Sequence, residues 1–372
     1  MSDIDRAEKE QLALYSASQW RLMWRKLRRH KLALLGGTVL ALLYSVAILA
    51  PFFSPYDPYK PFDDFQNTPP SRVRFRSDEG WSIRPFVYKV QGERNPKTLG
   101  IDFIEDKSEK YYIRLFTRGA EYKLLGIFQT NVHLFGVKEP GHLFLFGTDN
   151  LGRDMFSRNI FAARVSLTIG LIGVAITFVL GCFFGGISGY YGGTADMAIQ
   201  RIIEFIISIP TLPLWMILSA ALPREWPQIR IYFAITVILA LRNWCGLARV
   251  VRGKLMSLKT DDYVVAAKVS GSTEGRIIVR HLLPGFLSYL IVNVTLAIPA
   301  MILGETSLSF LGLGLKAPTL SWGVLLNQAQ NIRTVVLYPW LLIPSISIVI
   351  TVLAFNFVGD GLRDAADPYK QV

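Results

Sequence analysis

The chain is poor in charge and in the residues that build metal, redox or nucleotide sites. Of 372 residues, 18% are charged and 51% are hydrophobic, and mean hydropathy is +0.33. Soluble domains carry about 25% charged residues, so this composition speaks against an ordinary soluble enzyme. It also excludes a disordered chain, a collagen and a coiled coil. The two cysteines, Cys182 and Cys245, sit in apolar runs without a CxxC partner, and His30, His133, His142 and His281 are scattered. A disulfide framework and a zinc site are therefore not expected. No phosphate loop is present, because Gly253-Lys254 is followed by Leu255 and lacks the upstream glycine. Gly185-Gly186 and the Gly189–Gly193 stretch have no lysine after them, so they read as close helix packing and a tight turn. Ser307, Ser309 and the histidines form no catalytic constellation, which leaves a membrane enzyme without its acid, base or nucleophile. No cofactor and no metal are expected.

What the chain does have is long apolar runs. A helix crossing about 30 Å of hydrocarbon needs roughly 20 apolar residues. Six runs qualify, at about Leu32–Phe53, Val165–Ile187, Ile202–Leu222, Ile231–Leu247, Gly285–Leu308 and Val335–Val358. Pro210 and Pro213 interrupt the third, and the fourth is short. Proline is tolerated in a span when neighbours re-satisfy the freed carbonyls. The first run follows a polar tail and is followed by Ser54-Pro55-Tyr56-Asp57-Pro58. It reads as an uncleaved anchor, not a signal peptide.

The formal charge of +12 could suggest nucleic-acid binding, but its distribution points elsewhere. The tail 1–31 has eight basic residues (Arg6, Lys9, Arg21, Arg25, Lys26, Arg28, Arg29, Lys31) against four acidic ones. The stretch 249–281 has seven (Arg249, Arg252, Lys254, Lys259, Lys268, Arg276, Arg280) against three. With six spans both lie on one side, and the positive-inside rule makes that side cytoplasmic, with both termini inside. In the tail, Trp20, Met23, Trp24 and Leu27 share a helical face, so either an amphipathic helix on the inner leaflet or a plain stop-transfer cluster is expected. Between the first two spans, Ser54–Arg164 has the composition of a soluble domain. The β-branched and aromatic runs Ile83–Val90, Tyr111–Phe116, Tyr122–Phe128 and Val132–Val137 predict a small β-rich extracytoplasmic insert.

One cytoplasmic stretch carries a specific pattern. Asp262–Gly271 gives a short helix with small residues at Ala266 and Ala267, and Gly271 permits a left-handed turn at its end. A second helical stretch runs to Leu283-Pro284. Such a helix–turn–helix fits helix-in-groove recognition. It resembles the EAA loop of ABC importer permeases, with Ala266, Ala267, Gly271, Leu283 and Pro284 in the matching positions. Val265 stands where that family has glutamate. Phe146–Arg158, Ser307–Gly314, Ser321-Trp322-Gly323, Gly359–Asp364 and Asp367-Pro368 narrow the resemblance to the C-type permease of the dipeptide/oligopeptide/nickel importers, in a long-insert variant.

The resemblance implies an all-α polytopic fold, six transmembrane helices of the type I ABC importer permease kind, carrying the β-rich insert. The layout expected is a cytoplasmic tail 1–31, a first span 32–53, an insert 54–164, a permease core 165–358 with a coupling loop 249–284, and a tail 359–372. The implied partners are a second homologous permease, two ABC ATPase subunits, an extracytoplasmic solute-binding protein and the lipid membrane of the bacterial inner membrane, with no nucleic acid. The implied ATPase contacts are Tyr263, Ala266, Ala267, Gly271, His281, Leu283 and Pro284. The chain itself is not an enzyme on this reading. Asp196, Arg201, Glu204, Arg242 and Glu305 are the ionisable residues near span ends, and charge inside a bilayer marks function by default. Glu204 and Glu305 are candidates for the translocation path, against the alternative that they pair in the bundle or sit at its edge. The cargo expected is peptide, with oligosaccharides, opines or nickel chelates as alternatives, and a stand-alone channel or secondary transporter as the competing class.

Overall fold

The computed structural model describes residues 19–78, 80–94, 101–223 and 225–366. Arg6, Lys9, the side chains of Trp20 and Arg21, and Asp367-Pro368 lie outside the described residues. Among the described residues the helices include α1 (Gln19–Arg29), α2 (Lys31–Ile48), α3 (Met155–Tyr191), α4 (Gly193–Ser208), α5 (Thr211–Ala220), α6 (Gln228–Leu258), α7 (Asp262–Val269), α8 (Leu287–Phe310), α9 (Trp322–Asn327) and α10 (Ile343–Ala366). By length and composition, five helical stretches among the described residues can cross a membrane: α2, α3, α6, α8 and Pro339–Ala366, which contains α10. The run expected as the third span is broken instead. Its helices α4 and α5 meet at 88°, and they make a sixth crossing only if the bent pair is one span.

Helix ends depart from the apolar runs for local reasons. The 37 residues of α3 rise about 55 Å at 1.5 Å each, so its polar ends continue past the apolar window. α6 likewise runs on through Arg249, Arg252 and Lys254 to Leu258, because Arg, Lys, Leu and Met are good helix formers. The segment between α6 and α8 is therefore shorter than the 249–284 loop expected. The last run breaks before Pro339. Tyr338 sits at φ −131° and ψ 63°, as a residue before proline is pushed out of the helical region. Ile332–Leu337 becomes a separate short helix.

The chain divides into two compact units. One comprises Met1–Ala41, Ile169–Gly304 and Ile350–Val372. Its helices approach closely at glycines. Gly181, Gly185 and Gly189, spaced four apart on α3, face α6, where an added Cβ would lie 2.8 Å from Leu247, 2.5 Å from the Ala248 carbonyl and 2.8 Å from the Arg252 carbonyl. This small-residue stripe permits backbone contact between helices. Ile203, Trp244, Cys245 and Ala248 fill the core between α4 and α6, and Cys182 and Cys245 are both free thiols. On α1, Met23 is buried, Leu27 packs toward Gly361, and Trp24 is exposed beneath the Arg28 guanidinium. Of the stripe expected to share one face, Met23 and Leu27 thus meet protein while Trp24 is exposed.

The other unit comprises Leu42–Thr168 and Glu305–Val349. Among the described residues it holds five antiparallel strands in two sheets. β1 (Arg74–Ser77), β2 (Gly80–Arg94) and β3 (Ile101–Tyr112) form the first, in that order, and β4 (Arg114–Leu124) pairs with β5 (Phe128–Gly136) in the second. The register runs Phe86↔Tyr112 to Arg94↔Ile101 across β2–β3, and Arg114↔Gly136 to Leu124↔Phe128 across β4–β5. Phe86, Val87 and Tyr88 are buried. Arg74 bridges β1 to β3 through Glu105 at 2.7 Å. The insert is β-rich, as expected.

Candidate functional site

The segment from α7 to α8 is anchored by a few buried side chains. Val264 of α7 is fully buried in a core with Tyr190, Leu247, Val251, Leu255, Ile277, Leu282, Phe286 and Leu290, and Ala267 and Leu283 pack against it. The opposite face is open: Tyr263, Val265, Ala266 and Val269 are exposed, Val269 at 84%. An apolar face left outside on an eight-residue helix costs transfer free energy unless something covers it. Gly271 closes the helix. Its φ is +75°. Ser272 N donates to the Ala267 carbonyl at 3.1 Å and Gly271 N to the Lys268 carbonyl at 3.0 Å, the paired bonds of a Schellman end.

After the turn, Ile277–Leu282 is a π-helix. Pro284 explains it. Proline has no N–H for the carbonyl four residues back and its ring crowds that carbonyl, so the preceding turn widens. Leu283 N then donates to Ile278 O, five residues back. Such π turns are frequent at functional sites. Pro284 is exposed, His281 and Leu283 are half-buried, and the Tyr263 hydroxyl lies 3.7 Å from where a Cβ on Gly285 would be. The structure thus brings Tyr263, Ala267, Leu283 and the Pro284–Gly285 corner together, whereas Ala266 and Gly271 point outward. Burial, and then the Asp261 carboxylate, push the Tyr263 hydroxyl above its ordinary pKa, which keeps it a neutral donor.

Polar bonds tie this segment to the helix ends. Lys268 Nζ lies 5.1 Å over the Tyr190 ring, and the Tyr191 hydroxyl bonds Glu274. Arg252 grips Asp196 with two bonds of 2.6 Å, and the Ser188 hydroxyl donates to the same carboxylate. Ends of α3, α4 and α6 are thereby fixed by one bidentate pair. Asp196, expected only at a span end, is a joint between three helices.

Arg242 has the same kind of role inside a span. Its Nη1 donates to the carbonyls of Ile206, Ile207 and Ile209 at 3.1, 3.0 and 3.2 Å. These are the carbonyls left without partners where α4 stops before Pro210. Glu204 pairs with Arg201 at 2.6 Å on an exposed face. Glu305 is different. It is fully buried, and its Oε1 accepts from Ser309 and Ser321 hydroxyls, each at 2.7 Å. Ser321 also caps α9 through Val324 N, and Ser166 accepts from Trp322 N at 3.1 Å. The carboxylate holds the return from α8 to α9. Glu204 and Glu305 belong to separate surroundings, one open and one enclosed.

The Phe146–Arg158 stretch forms a second polar knot. Asp149 is fully buried and accepts from Leu151 N, Arg153 N and the Arg153 side chain at 2.7–2.9 Å, with Arg158 Nε at 3.6 Å. Arg158 also donates to Pro58 O, and Trp340 Nε1 donates to Thr148 O at 2.9 Å. Asp154 caps α3 by accepting from Ser157 N and Oγ. Burial outweighs these bonds and pushes the Asp154 carboxyl up to about 6. That lies above the unfolded value of about 3.9. The contribution is therefore present below pH ~4 and lost as pH rises through ~6. Asparagine caps comparably without titrating. The thermal midpoint of Asp154→Asn is expected to gain on that of the wild type between about pH 4.5 and pH 7; a gap independent of pH would overturn the assignment.

Residues 155–371 match the model for the binding-protein-dependent transport system inner membrane component, and residues 18–70 match that for the N-terminal membrane domain of oligopeptide transport permease C. The chain belongs to the binding-protein-dependent transport permeases. The dipeptide transport system permease protein of Bacillus subtilis is 33% identical over 93% of this chain and 84% of that protein. That of Lactococcus lactis is 31% identical over 96% and 93%. The oligopeptide transport system permease protein of Escherichia coli is 38% identical over 62% and 73%. A chain of the inward-facing MetNI methionine ABC transporter superposes with a TM-score of 0.44 and 20% identity, covering 57% of this chain and 97% of that one. As a binding-protein-dependent permease, the chain is an inner-membrane transport component and not an enzyme; the ATPase is a separate subunit and the binding protein another.

Local pattern could locate Gly271 and Pro284 but not Arg242, Asp196–Arg252 or the serine enclosure of Glu305. Apart from Ser309, one turn from Glu305, those contacts join residues 16 to 56 positions apart. The one prior signal was the presence of charge within apolar runs.

Proposed function

We propose that the chain is one half of the pore of an ATP-driven peptide importer of the type I permease kind, paired with a second homologous permease. The observation that carries this is α7: an exposed apolar face seated on a buried core, closed by a Schellman end and followed by a π turn. That surface fits a cleft on an ATPase, with Tyr263, Ala266, Gly271, His281 and Pro284 at or beside the contact. Two ATPase copies serve the two permeases. The basic residues of α1, the end of α6 and the α7 segment support a cytoplasmic placement for that side and for both termini. Rigid seating matters, because ATPase motion reaches the bundle through these few residues. Val265 offers an apolar contact where related loops have a carboxylate.

Peptide is favoured as cargo by the names of the relatives; oligosaccharides, opines and nickel chelates remain alternatives set by the binding protein. Glu204 reaches the surface and is the accessible candidate for the path. A path role for Glu305 requires its serine enclosure to open. Affinity capture of the tagged chain from membranes, read by quantitative mass spectrometry, is expected to recover a second permease and two ATPase copies, with no ATP hydrolysis by the chain alone. A solitary chain competent for transport in vesicles would overturn the proposal.

A further inference from the structure

The far end of the first span is joined to the β4–β5 hairpin. The 18 residues of α2 rise about 27 Å at 1.5 Å each, close to the hydrocarbon thickness of about 30 Å. Ile48, its last residue, therefore stands at the hydrocarbon boundary. The carbonyls of Ala47 and Ile48 accept there from the half-buried Arg164 guanidinium, at 2.6 and 2.7 Å. A further helical turn, Ala50–Phe53, carries Phe52 four residues on from Ile48, about 6 Å higher. The headgroup layer on each side of a bilayer is about 5–8 Å deep, so the Phe52 ring lies within it. The Phe116 ring of β4 lies against it, with centroids 6.4 Å apart. The buried His133 ring of β5 fixes the hairpin at this level. Its Nδ1 is 3.0 Å from the Pro51 carbonyl oxygen and its Nε2 3.1 Å from that of Ala120.

At that level β4 leaves large apolar side chains exposed, Leu115 at 70% and Phe116 at 64%. Phe116 also holds φ +55°, a left-handed conformation that bulky residues rarely adopt. So exposed a ring gains little within the chain to offset that strain, and such outliers persist where surroundings determine them. Ile48, one turn below Phe52, is exposed too, so apolar surface continues from the span to the strand. Arg114 and Arg118 flank it and are exposed; long basic side chains reach headgroups while their stems stay on apolar surface. We propose that the start of β4 is a membrane anchor, with Leu115 and Phe116 entering the lipid interface beside the end of the first span. Aromatic residues concentrate at that depth. Continuity with a spanning helix selects a lipid surface over a soluble protein as the partner. The inference rests on α2 crossing the membrane and holds for whichever leaflet its far end meets.

The test places the photoreactive residue p-benzoylphenylalanine singly at Leu115, Phe116, Ile48 or Lys107 of the full chain in its native membranes. Irradiation is followed by purification of the assembled transporter and mass spectrometry of the adducts. Purifying assembled complexes removes misfolded chains from the readout. Ile48 is the lipid-facing reference. Lys107, exposed on β3 and 3.7 Å from Asp78, is the wetted one. Phospholipid adducts are expected at Leu115 and Phe116 in yields near that at Ile48 and many times that at Lys107. Leu115 has an ordinary negative φ, so its variant reads the interface even where replacing Phe116 relaxes the strand. Adducts to another permease, a binding protein or any other subunit in place of lipid would overturn the proposal. So would absence of lipid at both strand positions while Ile48 is labelled, or equal lipid labelling at Lys107. No lipid at Ile48 would remove the span end on which the anchor rests.

Discussion

Replacing Arg242 with leucine is expected to destabilise the permease by about 3 kcal/mol, the cost of leaving half-buried carbonyls inside a span without a charged donor. The residue sits mid-way along α6, where insertion of an arginine costs on the order of 2.5–3.5 kcal/mol. That cost persists because the side chain answers a demand created elsewhere. α4 ends before Pro210, which has no N–H to give, and the chain turns through 88° into α5. The last carbonyls of α4 then face hydrocarbon without donors, a situation each unsatisfied group makes expensive. A guanidinium at the negative end of the α4 dipole meets that demand in charge as well as in hydrogen bonds. Arg242→Leu should lower the thermal midpoint of the detergent-solubilised complex and shift it toward aggregates on size exclusion. Arg242→Lys, with a single ammonium in place of the fork, should fall between. A leucine variant with an unchanged midpoint would show that the break is held by something other than this side chain.

The same residue marks the limit of what was legible in the sequence. Apolar runs announced the spans because hydrocarbon selects composition directly. They could not announce the α4–α5 bend, since a window average is blind to direction; Pro210 and Pro213 flagged the interruption, and only the contact with Arg242 shows how it is sustained. Helices α3 and α6 extend past their apolar runs, where polar helix formers continue beyond the membrane window. The strands were legible where β-branched and aromatic residues cluster. Most of β3, Ile101–Lys110, was not, because its acidic and basic residues read as loop and only pairing with β2 makes them a strand. At the α7 segment the outcome reverses. Gly271 and Pro284 act on their own backbone, so their effect was readable from position alone.

That locality gives the second large effect. Gly271 holds φ +75° with open space where a Cβ would go, so a substitution there meets no clash and only backbone strain. For a β-branched residue in the left-handed region that strain is about 1–2 kcal/mol. Against it stand two Schellman bonds and the burial of Val264 and Ala267. A helix of eight residues has little stability of its own, so Gly271→Val should release the last turn of α7 while leaving the spans intact. If α7 transmits ATPase motion, a partly unseated helix lets nucleotide turn over without moving the bundle. In proteoliposomes with the partner subunits, Gly271→Val is expected to lower uptake per ATP hydrolysed by roughly 5- to 30-fold, the population change that 1–2 kcal/mol produces. Membrane insertion and subunit recovery should match the wild type. Gly271→Asn, which tolerates the left-handed region better, should retain most of the coupling. A valine variant with an unchanged ratio of uptake to hydrolysis would remove α7 from the coupling path, because the strain acts at that turn and nowhere else in the chain.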